Sequence, residues 1–283
     1  MSLLCDLHTH SAYSDGTFSP AQLICQAERI GLRAVVLCDH NTVDGLPEFL
    51  EAARASSVEG IPGVEFSTDY QGRELHIVGM FIEREHFDAV RELLKQALQR
   101  KEQSNIDLVN ALGRAGIRMD YNKVKESTPG GLVNRAVLAA EMVRLGYCET
   151  VQQAFSLWLS EKRGYYIPAA RPDAFEVIRF IRSIGAVAVL AHPFLNLDEE
   201  RLRVFLAQAK EHGLDGMEVS YPLFSGEQTR LAGEIAREFG LLTSGGSDFH
   251  GENKPHIALG DCAVEESCMI KLAQRRGEAR PDT

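Results

Sequence analysis

The sequence predicts an α/β protein, a (β/α) barrel of about seven strands carrying a helical insertion. Three observations predict it. Short apolar runs recur at 3–7, 34–38, 61–66, 75–82, 186–191, 215–219 and 241–244. Most are separated by stretches of helical periodicity at 20–30, 46–56, 172–184, 199–212 and 227–239, an alternation that suits a barrel with its chemistry at the C-terminal strand ends. Between about 84 and 167 the strand signal stops and helix-like stretches occupy 86–115, 134–146 and 149–160. A segment of that length is not an ordinary loop. Residues 84–167 are expected to form a helical subdomain, placed as a lid, inserted into a barrel built from 1–83 and 168–283.

Bulk composition sets bounds on function. With 283 residues, 45% hydrophobic and 25% charged, the chain can bury a full core. No apolar run reaches the roughly 18 residues of a membrane span, and the start lacks a signal-peptide pattern, so a cytoplasmic protein with no membrane partner is expected. The six cysteines are scattered without C-x-x-C spacing, which predicts no disulfides. A net charge of -10 argues against stable duplex DNA binding but leaves anionic substrates open, because bound divalent cations reverse the field locally. The tail at 275–283 is expected to fray.

The first apolar run leads into "CDLHTHSAYSDG" (5–16), with two histidines and two aspartates in twelve positions. Side chains i and i+2 of a strand share a face, so His8 and His10 point at one spot. Other strand ends repeat the theme: His40 follows "AVVLCD", His192 follows "AVAVLA", and His250 follows "LLTSGGSDF". His76 instead begins its run. A hairpin centred near 70/71 would pair residue 65 with residue 76 and set Glu65 and His76 on the same rim.

Asp15, Asp39 beside His40, and Asp248 add carboxylates. The candidate ligands are His8, His10, Asp15, His40, Glu65, His76, His192, Asp248 and His250, too many for one ion taking about four to six donors. Two or three divalent ions fit better, with zinc, manganese and iron all compatible, and Glu65 is the natural bridge. His86, His212 and His256 receive no role. Gly245-Gly246 is expected to let the backbone approach the metal centre closely. No G-x-S-x-G elbow, P-loop or G-x-G-x-x-G run occurs.

With these residues assembled, the chain resembles the polymerase and histidinol phosphatase (PHP) family of metal-dependent phosphoesterases. The matching motifs are "DLHTHSAYSDG" (6–16), "CDHNTVDG" (38–45), "GVEFS" (63–67), "LHIVG" (75–79), "AHP" (191–193) and "GSDFH" (246–250). The insertion looks like that of the subgroup acting on 3',5'-bisphosphonucleotides or trimming RNA and oligonucleotides from the 5' end. The resemblance implies a distorted (β/α)7 barrel with a di- or trinuclear site. It implies that His8, His10, Glu65 and Asp248 hold one ion, Glu65, His76 and His192 a second, and Asp15, His40 and His250 a third. Asp39 and Asn41 would orient the neighbouring ligands.

In that subgroup the insertion brings an arginine to substrate phosphate, and Arg135 in "LVNRAVLAA" (132–140) occupies its place. The histidine common two positions later is Val137 here. "EKRGYYIP" (161–168) resembles the subgroup's return to the barrel, making Lys162, Arg163 and Tyr165 candidates beside a phosphate or base.

The implied chemistry is hydrolysis of a phosphate ester, of a nucleotide or short RNA, by a metal-bridging hydroxide attacking phosphorus while Arg135 grips a phosphate oxygen. A sugar or amino-alcohol phosphate is the alternative substrate within the family. A metal-dependent amidohydrolase also opens with H-x-H, but that plan does not call for Asp15, the Asp39-His40 pair or the terminal Asp-x-His. A non-catalytic metal-binding module would have no need of open metal positions.

Overall fold

Each of the seven apolar runs forms a strand in the structure, a computed structural model that describes residues 4–128, 131 and 133–277. Leu3, Leu132 and residues 278–283 of the tail lie outside the described residues. The first half of the barrel is β1 (Leu4–Thr9), α1 (Pro20–Arg29), β2 (Ala34–Leu37), α2 (Leu46–Arg54), β3 (Glu59–Tyr70) and β4 (Arg73–Met80). Then come α3 (Phe87–Arg114), α4 (Tyr121–Ser127), α5 (Arg135–Arg144) and α6 (Val151–Ala154), which runs into a π-helical turn at Phe155–Leu159. The chain returns through α7 (Ala174–Ser183), β5 (Val187–Leu190), α8 (Glu199–Glu211), β6 (Gly216–Ser220), α9 (Gly226–Glu238), β7 (Leu242–Gly245), β8 (Val264–Glu265) and α10 (Glu266–Ala273).

The sheet order is β7-β6-β5-β4-β3-β2-β1-β8. Past β7, Asp248 N donates to His8 O at 2.8 Å and His10 N to Phe249 O at 3.0 Å, which brings the last long strand's continuation onto the first and nearly closes the barrel. β4 is antiparallel to both neighbours and β8 is antiparallel to β1, while the remaining pairs run parallel. This mixed sheet is the distorted form of a (β/α) barrel.

Period-two alternation divides each strand between two cores. In β2, Ala34 and Val36 face the barrel interior, whereas Val35 and Leu37 pack under the helices; in β5 Val187 and Val189 point inward and Ala188 and Leu190 outward. Burial on both faces explains why these strands read as continuous apolar runs. The helices begin where capping chemistry places them. Ser19 and Gln22 form a capping box at α1 with Pro20 in the first turn, and Ser225 and Gln228 do the same at α9. A third apolar cluster, including Leu108, Leu112, Leu138, Met142 and Leu159, belongs to the helices between β4 and β5 alone.

Two expectations need correction. Ser67, not Glu65, lies opposite His76, and Glu65 lies opposite Val78. The expected register would use Tyr70-Gln71 as the turn. The structure uses Gln71-Gly72, both with positive φ, because the aromatic ring of Tyr70 is buried in the core and a glycine tolerates the second left-handed position. The two-residue shift preserves the face, so Glu65 and His76 still share a rim. The stretch at 149–160, expected as one helix, is a single α-turn followed by the π-helical turn. The periodic patterns also left out α4, β8 and α10, each of eight residues or fewer and too short for a clear signal.

Candidate metal centre

The strands deliver the site as the last member of each inward-facing column. Val36 and Cys38 line the interior and His40 follows on the same side; Ile61 is followed in the same way by Glu65. β4 runs the opposite way, so its first half reaches that same rim, and His76 precedes the inward Val78 and Met80. β1 changes register between Asp6 and Thr9, where the histidines lie. Asn41, His192 and Asp248 all hold positive φ (55°, 26° and 52°), backbone strain concentrated on the rim of this site. Gly246 lets the last loop press on β1, since a Cβ there would come within 2.5 Å of His8 N.

All nine sequence-derived ligands converge. Glu65 is fully buried and ringed by imidazoles: His8 Nε2, His10 Nε2 and His40 Nδ1 lie 3.3, 3.2 and 3.1 Å from Oε2, and His76 Nδ1 and His192 Nε2 lie 2.8 and 3.0 Å from Oε1. Asp248 Oδ1 is 3.2 Å from His10 Nε2 and 3.6 Å from His8 Nε2. Asp15 lies 3.1 Å from His250 Nε2 and 3.8 Å from His40 Nε2. Donor atoms fall into overlapping groups, among them His8, Glu65 and His192; His40, Glu65 and His76; and His10, Asp15, His40 and His250. His40 presents a nitrogen to each of the last two.

The donor set fits divalent cations. His8 Nδ1 lies 2.7 Å from Glu218 Oε1, which keeps the proton on Nδ1 and leaves a lone pair on Nε2, facing His10 Nε2 at 3.0 Å. Glu65 Oε2 is buried with no hydrogen-bond donor, and His10 Nδ1, His40 Nδ1 and His192 Nδ1 are likewise unpartnered. Lone pairs and carboxylate oxygens packed around one spot repel one another unless positive charge lies among them. Burial pushes the Glu65 carboxyl up, but the imidazoles of His76, His40 and His8 hold it well below the carboxylate range. At His40 burial prevails over the carboxylates of Glu65 and Asp15 and drives the imidazole down to about 3.

Supporting residues that sequence patterns do not mark fix these ligands. Glu218 accepts from His8 with one oxygen and from His192 N at 2.7 Å with the other. Its signal was a lone carboxylate inside the apolar run "DGMEV". Asp248 Oδ2 accepts from Tyr221 OH at 2.8 Å and Lys254 Nζ at 2.6 Å, which turns Oδ1 toward the histidines. Asp6 accepts from Ser247 N and Oγ and from Gly260 N, pinning the loop that carries Asp248; burial pushes its carboxyl up to about 6. Cys38, at the end of the apolar run 34–38, brings its Sγ within 4.8 Å of ring nitrogens of His8 and His10.

Asp39 accepts from Ser11 N, Ser11 Oγ and Ser14 Oγ at 2.7, 2.6 and 2.7 Å, so it holds the loop bearing Asp15. Asn41 exchanges hydrogen bonds with Ser67. His86, His212 and His256 stand away from the cluster: His86 contacts Glu85, His212 contacts Arg179 and Phe175, and His256 is exposed.

A cleft of about 350 Å³ lies over the cluster, walled by barrel rim and helices together. Arg135 lines it at the first turn of α5, its guanidinium 4.2 Å from the Tyr166 ring centroid and Nη1 3.4 Å from Leu159 O. Lys101 and Arg171 also line it, and Arg171 Nη2 bonds Glu74 at 2.7 Å. Glu74 in turn stands 3.4 Å from His76 Nε2.

Lys162, Arg163 and Tyr165 do not reach the cleft. Lys162 and Arg163 sit exposed on a short 3-10 turn, where Arg163 Nε donates to Ser156 O, and Tyr165 packs on Trp158 in the helical core. The next residue, Tyr166, faces the site instead. Val137 packs against that same helical core.

The profile of the PHP domain family matches residues 6–152. A 5'-3' exoribonuclease of Haemophilus influenzae is 34% identical over 87% of this chain and 89% of its own length. A 3',5'-nucleoside bisphosphate phosphatase of Chromobacterium violaceum is 26% identical over 87% and 86%. Among solved structures, a protein of Bifidobacterium adolescentis described as a metal-dependent phosphoesterase superposes with a TM-score of 0.87 at 27% identity, covering 97% of this chain and 96% of that one.

Proposed function

The chain belongs to the PHP family of metal-dependent phosphoesterases, and from that premise we propose that it hydrolyses a nucleotide phosphate ester, of a 3',5'-bisphosphonucleotide or of an oligoribonucleotide 5' end. The observation that carries the reading is the unpaired Glu65 Oε2 amid three imidazole nitrogens, directly beneath a cleft with four cationic side chains, Lys101, Arg135, Arg171 and Lys254.

We propose two or three ions of manganese, zinc or iron, held by His8, His10, Glu65 and Asp248; by Glu65, His76 and His192; and by Asp15, His40 and His250. Such ions supply a water of lowered pKa and neutralise charge on the phosphoryl oxygens. The chain's own groups do the rest. Glu218 keeps the His8 proton on Nδ1, and Glu74 is placed to do the same for His76 from the other side. Arg135 donates to phosphate oxygens at the N-terminus of α5, where the helix dipole also favours an anion. Lys101 and Arg171 add charge from α3 and from the return segment. Water adds to phosphorus, the ester oxygen leaves with a proton, and inorganic phosphate or a nucleotide is released with the alcohol.

The cleft's volume suits one nucleotide unit. Residues 84–167 act in this reading as a lid subdomain on the barrel of 1–83 and 168–283, supported by the separate apolar core of the helices from Leu108 onward, while Phe87, Val90 and Leu94 of α3 anchor it in the core beneath the barrel helices. A cytoplasmic setting accords with six unpaired cysteines. Among the described residues no helix is long and apolar enough to cross a membrane.

A product-release screen over nucleoside monophosphates, 3',5'-bisphosphates, short 5'-phosphorylated RNAs and sugar phosphates, with each metal added in turn, tests the proposal. Turnover confined to nucleotide substrates is expected. Turnover of sugar phosphates alone, or of no ester with any metal, would overturn it.

A further inference from the structure

The cleft over the metal centre opens on two sides, and the openings differ in charge. One leads between α3 and α4 as a groove of about 580 Å³ and shares His40, Leu98, Lys101 and Asn134 with the cleft. The other leads past the β3–β4 hairpin as a groove of about 730 Å³ and shares Glu74, Arg171 and Asn196. Width does not choose between them.

Charge does. The α3–α4 groove presents Arg91, Lys95, Lys101 and Lys125 against Asp88, Glu92 and Glu102. The hairpin groove presents Arg73 and Arg171 against Asp69, Glu74, Glu161 and Asp173. In a chain of net charge -10, a groove with more cations than carboxylates is a local exception, and this one begins at the metal cluster. Lys101 and Lys95 are its most available cations, since Arg91 is held by Asp44 at 2.7 Å and Asp88 at 2.8 Å. Lys101 forms no ion pair among the described residues, and the Lys95–Glu92 pair at 3.2 Å is largely exposed, the kind that yields readily to a phosphate. Lys125 meets Glu102 across the groove, and Tyr121 offers an aromatic side chain beside it.

We infer that the α3–α4 groove binds the nucleotides downstream of the scissile phosphate of a single-stranded RNA. The inference rests on the phosphoesterase reading above and extends it. The cleft holds the terminal nucleotide, and the rest of the strand leaves past Lys101 along Lys95 and Lys125, while the acidic hairpin groove repels it.

The test uses the full-length, metal-loaded protein with adenosine 3',5'-bisphosphate and a 5'-phosphorylated RNA heptamer as paired substrates. In the Lys95→Glu/Lys125→Glu variant, kcat/KM on the heptamer falls by roughly tenfold or more, while the bisphosphate is turned over within about twofold of wild type. The salt dependence of heptamer KM becomes shallower by about 0.7 for each RNA phosphate that the variant no longer neutralises. Lys95→Glu alone, an exposed change, shifts heptamer turnover the same way to a smaller extent. Arg73→Glu in the hairpin groove changes neither substrate. Equal losses on both substrates, no loss on either, or a heptamer-selective loss from Arg73→Glu would overturn the inference. Wild-type protein that cleaves the bisphosphate but not the heptamer overturns it alone; wild-type protein that cleaves neither overturns the phosphoesterase reading as well.

Discussion

His8 Nδ1 lies 2.7 Å from Glu218 Oε1, and both side chains are fully buried. The second Glu218 oxygen accepts from His192 N, so one carboxylate serves two donors on two strand ends. A glutamine offers one carbonyl acceptor and one amide NH2 donor, and it must leave either His8 Nδ1 or His192 N facing a donor. Glu218→Gln is therefore expected to keep the fold and weaken metal binding by about 10–100-fold. Calorimetric titration of the metal-free variant checks this, and wild-type affinity would count against the role.

The convergence of the nine candidate ligands was legible in the sequence because strand periodicity is two and the histidines stand at the ends of apolar runs. What was not legible depends on three-dimensional neighbours. Glu218 reads as one polar residue in a strand, and only the fold shows His8 beside it. Lys101 and Arg171 lie 70 residues apart, on α3 and on the return segment, and nothing local marks either as a cleft residue. The choice of Tyr166 over Tyr165 turns on the direction of the chain after Gly164, whose φ is 77°. Composition carries no information about it. The hairpin register failed for a similar reason: it was set by which residues accept positive φ.

Removing His10 tests the centre itself. Its Nε2 lies within 3.2 Å of both Glu65 and Asp248, and the ring is fully buried. His10→Ala should lose at least one equivalent of tightly bound metal and reduce ester hydrolysis by about 100-fold or more. Metal analysis and product release, read beside circular dichroism, check both. Full metal content with unchanged turnover would remove His10 from the site.

Arg135 should act on substrate affinity and on the transition state together. A guanidinium to phosphate contact contributes about 1.5–3 kcal/mol, so Arg135→Ala is expected to lower kcat/KM by roughly 10–150-fold with metal binding unchanged. Lysine cannot reproduce a planar fork stacked on Tyr166, and Arg135→Lys should recover little. Steady-state kinetics on the bisphosphate decides; full recovery by lysine would mean that Arg135 serves only as a charge.

Protons and metal compete at His76, as they do at His8 and His10, whose imidazoles neighbouring negative charge also holds well above the usual value against burial. Burial lowers the affinity of this imidazole for a proton, yet the Glu65 and Glu74 carboxylates outweigh burial and carry its pKa up to about 9. The metal-free imidazole is thus protonated at pH 7, and a bound ion must displace that proton. Apparent metal affinity then rises between pH 7 and about 9, by up to about tenfold per pH unit from this group, and the His76 share of the gain ends above 9. His40, driven down to about 3, is already proton-free across this range and adds no slope. At limiting metal, activity should climb from pH 7 to 9, and at saturating metal most of that rise should vanish. Glu74→Gln removes one of the two carboxylates and should move the rise to lower pH. A profile at limiting metal that is flat, or that the Glu74 change leaves in place, would contradict this account of His76.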